Sequence, residues 1–236
     1  MKPLYKRILL KLSGEGLAGE DKTGINPSVV ARLASEIDEV RRLGVQVCLV
    51  IGGGNFFRGA KNTSSMMDRS VADQIGMLAT VMNALTMKSA LNSIGCPAVI
   101  YSGLNIPQVC DAYNFRNALK SVENGEVVIF AGGTGSPYFT TDTGAALRAT
   151  EMHCEVLMKA TQVDGVYSAD PRSNANAVRY DKITYAEVLE KHLNVMDMTA
   201  LAMLRDTGIP TMIFAQAGNK AVLKAVCGEV KHTIIK

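Results

Sequence analysis

Two lysines, an arginine and an aspartate stand beside glycine-rich turns in a chain of 236 residues. Lys11 precedes Ser13-Gly14 in "KLSGEG" (11–16), and Arg58 follows three consecutive glycines in "IGGGNFFRG" (51–59). Asp142 comes just after "AGGTGSP" (131–137), and Lys159 lies within "EVLMKAT" (155–161). Backbone N–H groups in glycine turns can reach phosphate oxygens, because no β-carbon stands in the way. A lysine beside such a turn can clamp a phosphate, and an arginine offers its oxygens a planar fork. Lys159 falls in an apolar strand, where an ammonium needs an anionic partner. Asp142, at a helix start that favours a carboxylate, could hold one or both lysines. Taken singly, Lys11 and Asp73 read as solvated charges and Arg58 as a helix-surface arginine. Together they fit phosphoryl transfer, which asks for in-line positioning and positive charge rather than covalent chemistry.

Other chemistries find less support. A Walker A loop requires GxxxxGK followed by Ser or Thr; Gly54 and Gly59 have the spacing, but Lys61 comes one place late. The dinucleotide pattern GxGxxG fails at Phe57. Three scattered histidines and five cysteines without a CxxC pair argue against zinc and against a disulfide scaffold. A formal net charge of +3 is too mild to imply nucleic acid or a membrane surface as partner. The opening "MKPLYKRILLKLSGEG" resembles a signal peptide only until Lys11 interrupts it, and no 18-residue apolar run follows. A cytoplasmic protein is expected.

These residues need a scaffold that gathers three glycine turns at one edge. The pattern predicts strands at 7–13, 45–51, 97–102, 126–133, 155–161, 211–215 and 232–236. Helices are expected at Pro27–Leu43 with Asn26 as cap, at 67–93, 111–123, 141–152, 184–191 and 197–207, with a short one near 218–226. In the 67–93 helix, Val71, Ile75, Leu78, Met82 and Leu85 repeat as one face, which predicts burial. Asp164-Gly165 predicts a tight hairpin within 163–167. Alternation of strand and helix implies a mainly parallel sheet with helices on both faces. Ligands of such sheets gather at the carboxyl ends of the strands, where the glycine turns fall.

"KLSGE" (11–15), "IGGGNFFRG" (51–59), "GTGSPYFTTD" (133–142) and "KATQVDGVYSADP" (159–171) together resemble the amino acid kinase superfamily, and most closely its bacterial uridylate kinase branch. "DQIGMLATVMNAL" (73–85) and "YAEVLEKHLNVMD" (185–197) extend the resemblance over nearly the whole chain. It implies a single domain over 1–236, a three-layer α/β/α sandwich around a mainly parallel sheet. A UMP-binding part would span about 1–154 and an ATP-binding lobe about 155–236. It implies reversible transfer of the ATP γ-phosphoryl to UMP, with magnesium, in pyrimidine nucleotide synthesis. It also implies a cytoplasmic homohexamer, activated by GTP and inhibited by UTP. Lys11, Leu12, Ser13, Gly14, Gly54 and Arg58 would serve the ATP phosphates or the moving group. Thr161, Gln162, Tyr167 and Asp170 would hold adenosine. Gly53, Asp73 and the run Gly133, Thr134, Gly135, Ser136, Pro137, Tyr138, Phe139 and Thr140 would hold UMP. Lys11, Arg58, Asp142 and Lys159 would form the catalytic group. The segment Gly19, Glu20, Asp21, Lys22, Thr23 and Gly24 matches a region tied to GTP activation, and no protein ligand to the metal is implied.

Three other readings stay open at the level of sequence. A kinase of the same fold could act on a carboxylate or carbamate, although Asp73 and the 133–140 loop match the nucleotide branch. A binding-only storage or sensor protein could share the fold, although such a descendant could lose the cations that are retained here. A DNA-associated role has no basic stripe to support it.

Overall fold

The computed structural model describes residues 2–21, 23–57 and 67–236. Arg58 and Lys22 therefore lie outside the described residues. Strand β1 (Arg7–Leu12) leads through a short helix α1 (Glu15–Ala18) to α2 (Pro27–Arg42). Asn26 caps α2 by accepting the N–H groups of Ser28 and Val29, with proline in the first turn where no donor is needed. Next come β2 (Gln46–Ile51), the long helix α3 (Arg69–Ser93) and β3 (Ala98–Ser102). A two-residue strand β4 (Asp111–Ala112) precedes α4 (Phe115–Glu123), β5 (Val127–Ala131), α5 (Thr141–Glu151) and β6 (Val156–Thr161). The chain continues through β7 (Val166–Tyr167), β8 (Arg179–Tyr180), β9 (Lys182–Ile183), α6 (Tyr185–Glu190) and α7 (Met198–Thr207). It closes with β10 (Thr211–Ala215), α8 (Ala221–Val226) and β11 (His232–Ile235).

Nine strands form one sheet in the order β4-β3-β5-β2-β1-β6-β10-β11-β9. Every pairing in it is parallel except β10 with β11. Alternate side chains of a strand serve opposite faces. Ile8, Leu10 and Leu12 of β1 join the core under α2, α3 and α8. Leu9 joins the second core, under α4, α5, α6 and α7. The result is the expected α/β/α sandwich.

Three expectations fail, each for a local reason. The apolar face expected to be buried on the long helix is the outward one: Val71, Leu78, Met82 and Leu85 are 47%, 48%, 44% and 37% exposed. The inward face carries Ala72, Ala79, Thr80 and Ala84, interspersed with Met77, Val81 and Asn83, and Met87 and Leu91 further along. Small side chains win there because the helix lies against the glycine turn; a β-carbon on Gly53 would come within 2.8 Å of the Ala79 β-carbon. The helix expected from 111 begins at Phe115, because Asn114 caps it and Asp111–Ala112 pairs with β3. Asp164-Gly165 makes no tight hairpin: β7 pairs antiparallel with β8, while the Val166 N–H donates to the Thr233 hydroxyl at 2.8 Å.

Candidate active site

Strand parity and register bring the lysines together. Lys11 and Lys159 occupy the same sheet face as Leu9 and Leu157, and Lys11 pairs directly with Lys159 across β1 and β6. Helix α5 crosses that face, and its first turn sets Asp142 between them. The Lys159 ammonium donates to Asp142 Oδ2 at 2.6 Å and to the Val195 carbonyl at 2.5 Å. The Lys11 ammonium lies 2.8 Å from Asp142 Oδ1. Burial pushes the Asp142 carboxyl up, but the two ammoniums outweigh it and hold it at about 2. Burial also lowers Lys159 below the ordinary lysine value, with the Lys11 charge adding to the effect and Asp142 opposing it. The cluster keeps a net positive charge in a largely desolvated place, fixed before any ligand arrives.

Two cavities flank it. The larger, about 580 Å³, lies on the β6 side and is lined by Lys11, Ser13, Lys159, Thr161, Gln162, Tyr167 and Asp170 among others. The smaller, about 210 Å³, lies on the β2 and β5 side. Its lining includes Gly53, Asp73, Gly133, Thr134, Ser136, Phe139 and Thr140. Lys11 and Lys159 line the larger cavity, while Thr141, next to Asp142 in sequence, lines the smaller one; the larger volume suits the larger ligand.

The expected residues differ in whether they reach a cavity and in what else they touch. Gly54, expected with the ATP phosphates or the moving group, lines the smaller cavity beside Gly53. Leu12 is wholly buried, so only its backbone is available. Gly14 packs against Gly52: a β-carbon there would come within 2.3 Å of the Gly52 carbonyl. Gly135, Pro137 and Tyr138 are outside the cavity lining. Tyr138 takes φ 70°, and its N–H donates to Asp73 Oδ2 at 2.8 Å. Asp170 is held in a fork by the Arg172 guanidinium at 3.0 and 2.9 Å, and the Tyr167 hydroxyl donates to Asp164 at 2.6 Å. Gly19, Glu20 and Asp21 form a 3-10 turn away from both linings. Thr23 is not in either lining, and the Gly24 carbonyl accepts the Asn55 amide at 2.7 Å.

Some functional neighbours escaped the sequence reading. Arg69 Nε donates to both Asp73 oxygens, at 3.0 and 2.8 Å, and its guanidinium lies 5.6 Å from the Tyr138 ring centre. The four-residue spacing of Arg69 and Asp73 on a helix was a legible signal. Asp197 accepts the hydroxyls of Thr140 at 2.6 Å and Thr143 at 2.8 Å, and caps α7 through the Ala200 N–H. It thus ties the starts of α5 and α7 together behind Lys159, a link between residues far apart in sequence that no local pattern announces.

Among the described residues, no cluster of three or more His, Cys, Asp or Glu could hold a metal. Asp142, the central carboxylate, is already engaged by two lysines. A protein-built metal site does not fit these residues; a cation carried in on phosphate oxygens and water does.

The model of the amino acid kinase family matches residues 6–215. The chain is 52% identical over 231 residues to a uridylate kinase of Paramagnetospirillum magneticum, covering 98% of this chain and 96% of that protein. Among solved structures, the UMP kinase from Ureaplasma parvum matches with TM-score 0.93 and 35% identity over 100% of both chains. The UMP kinase from Bacillus anthracis also matches with TM-score 0.93, at 36% identity over 98% of this chain and 96% of that one.

Proposed function

This chain belongs to the amino acid kinase family, and we propose that it transfers the γ-phosphoryl group of ATP to UMP, giving UDP and ADP. It is a phosphotransferase of the nucleoside monophosphate kinase type. The observation that carries the reading is the Lys11–Asp142–Lys159 cluster, whose lysines line the larger cavity while Thr140 and Thr141, just before Asp142, line the smaller. In this assignment ATP occupies the larger cavity, formed mainly from the lobe after about 155, with Thr161, Gln162, Tyr167 and Asp170 around adenosine. UMP occupies the smaller one, formed from the part before about 154. Gly53, Asp73 and the 133–140 loop surround it.

The UMP phosphate is already ionised near neutral pH, so its oxygen attacks without a general base. Lys11 and Lys159 stabilise the charge that spreads over the moving group, and Asp142 keeps both ammoniums aimed. Arg58 belongs to the same assignment as a third cation. Magnesium, arriving with ATP, would neutralise further phosphate charge. The sequence resemblance also supports a place in pyrimidine nucleotide synthesis in the cytoplasm, with GTP activation through 19–24 and UTP inhibition. No helix among the described residues is long and apolar enough to cross a membrane. A homohexamer follows from the same resemblance, and the exposed apolar face of α3 supports self-association.

The test is product analysis with ATP, magnesium and one acceptor at a time: UMP, CMP, dUMP, acetylglutamate and carbamate. UDP formed rapidly from UMP alone is the expected result. Turnover of another acceptor would overturn the assignment of Asp73 and the 133–140 loop. Nucleotide binding without turnover would favour a binding-only protein.

A further inference from the structure

Beneath the triple-glycine turn, two asparagine side chains close on each other. Asn55 is 2% exposed and Asn83, on the inward face of α3, is 0% exposed. The Asn83 amide donates to Asn55 Oδ1 at 2.7 Å and to the Gly52 carbonyl at 2.7 Å. The Asn55 amide donates to Asn83 Oδ1 at 3.0 Å and to the Gly24 carbonyl at 2.7 Å. Both protons of both amides are therefore used, and each side-chain oxygen accepts one. Burying two amides is unfavourable unless each finds such partners. Helix propensity gives no reason for asparagine at position 83, since an alanine or leucine would serve better.

The atoms this pair holds explain its place. Gly52 begins the turn after β2, and Gly14 begins the turn after β1. A β-carbon on Gly14 would stand 2.3 Å from the Gly52 carbonyl oxygen and 2.6 Å from Asn55 Oδ1. The first glycine turn thus seats directly on the second, at the point where the asparagines grip it. The Asn55 carbonyl also accepts the Gly24 N–H at 3.0 Å, so the segment before α2 is strapped to the same point.

We propose that Asn55 and Asn83 are a positioning pair that fixes the spacing between the two glycine turns, and through it the separation of the donor and acceptor phosphates. They act through the Gly52 backbone, without touching either nucleotide. The inference rests on the UMP kinase reading, since it assigns one phosphate group to each turn. A misplacement of about 1 Å in an in-line transfer costs on the order of 100-fold in rate. A buried pair of this kind therefore acts on kcat more than on the binding of either nucleotide alone.

The experiment uses Asn83→Asp, which keeps the shape and removes both donated protons. Steady-state kcat, the separate affinities for ATP and UMP by calorimetry, and the melting temperature are measured on the full chain. The expected result is a fall in kcat of about 100-fold, with each separate affinity changed by less than about threefold. A folded variant with wild-type kcat overturns the proposal. So does a variant whose melting temperature falls while kcat per folded molecule is unchanged, or one whose loss lies wholly in the affinity for one nucleotide. If Asn83→Asp does not fold, Asn55→Ser is read by the same criteria, because it releases the Gly24 carbonyl and the amide-to-amide bonds with Asn83 while leaving the Asn83–Gly52 bond. A wild-type protein that makes no UDP rejects the functional reading itself. An active wild type with unaffected variants rejects only the positioning pair.

Discussion

Asp142 has no proton to give and no bond to form, yet the position of both lysines depends on it. Its carboxyl is held at about 2, against 3.8 for an ordinary aspartate, because two ammoniums outweigh the effect of burial. Lys159 is the more informative partner for experiment. Burial sets its folded value below the ordinary lysine value of 10.5, so the folded protein loses this proton before the unfolded chain does. Between those two values the unfolded chain binds more protons, and stability from this group rises with pH. In the proposed reaction activity runs the other way, because a neutral Lys159 would no longer stabilise the moving phosphoryl group. We expect kcat to fall on the alkaline side with an apparent pKa below that of a free lysine. Lys159→Met should cost about 100–1,000-fold in kcat at neutral pH, and Lys159→Arg should shift the alkaline limb upward. A pH–kcat profile flat to the ordinary lysine range would reject this role.

The element that decides the geometry of the smaller cavity is α3, through what it allows beside it. The glycine at position 53 is explained first by packing: a β-carbon would lie 2.7 Å from the Gly76 carbonyl and 2.8 Å from the Ala79 β-carbon. Neither neighbour is a flexible side-chain end, so the turn would have to lift away from the helix. Gly53→Ala should destabilise the fold by about 1–3 kcal/mol and weaken UMP binding more than ATP binding. Melting curves and calorimetry with each nucleotide would check this; equal loss for both nucleotides would count against it. Asp73 belongs to the same element. Its oxygens are taken by Arg69 and by the Tyr138 N–H, so the helix and the 133–140 loop are already joined across the cavity.

At the scale of the whole molecule, the outward face of α3 is an apolar surface that the described residues leave exposed. Val71, Leu78, Met82 and Leu85 form a continuous apolar stripe on one helix, the kind of surface that marks an interface. Paired Leu78→Glu and Met82→Glu substitutions should dissociate the proposed homohexamer, read by analytical ultracentrifugation as a shift to smaller species. The monomer fold should survive, because neither side chain belongs to either core. An unchanged assembly would move the interface to another surface.

The sequence by itself determined the strands and helices that carry local signals: the Asn26-Pro27 start of α2, the apolar strands around Lys11 and Lys159, the glycine turns that end β1 and β2. It also supplied both lysines and Asp142 as candidates, because a lysine in an apolar strand asks for a partner wherever it occurs. What periodicity could not decide was which face of α3 turns inward. A stripe looks the same whether it meets its own sheet or a second copy, and only the close approach of Gly53 selects the small-residue face. The pairing of Asp142 with the lysines was legible as a possibility, but the reach of Asp197 to Thr140 and Thr143 and the closed amides of Asn55 and Asn83 came only from the tertiary structure. Each depends on strand register and helix placement that join distant segments, and a hydrogen bond over a few ångströms carries no trace in the local pattern on either side.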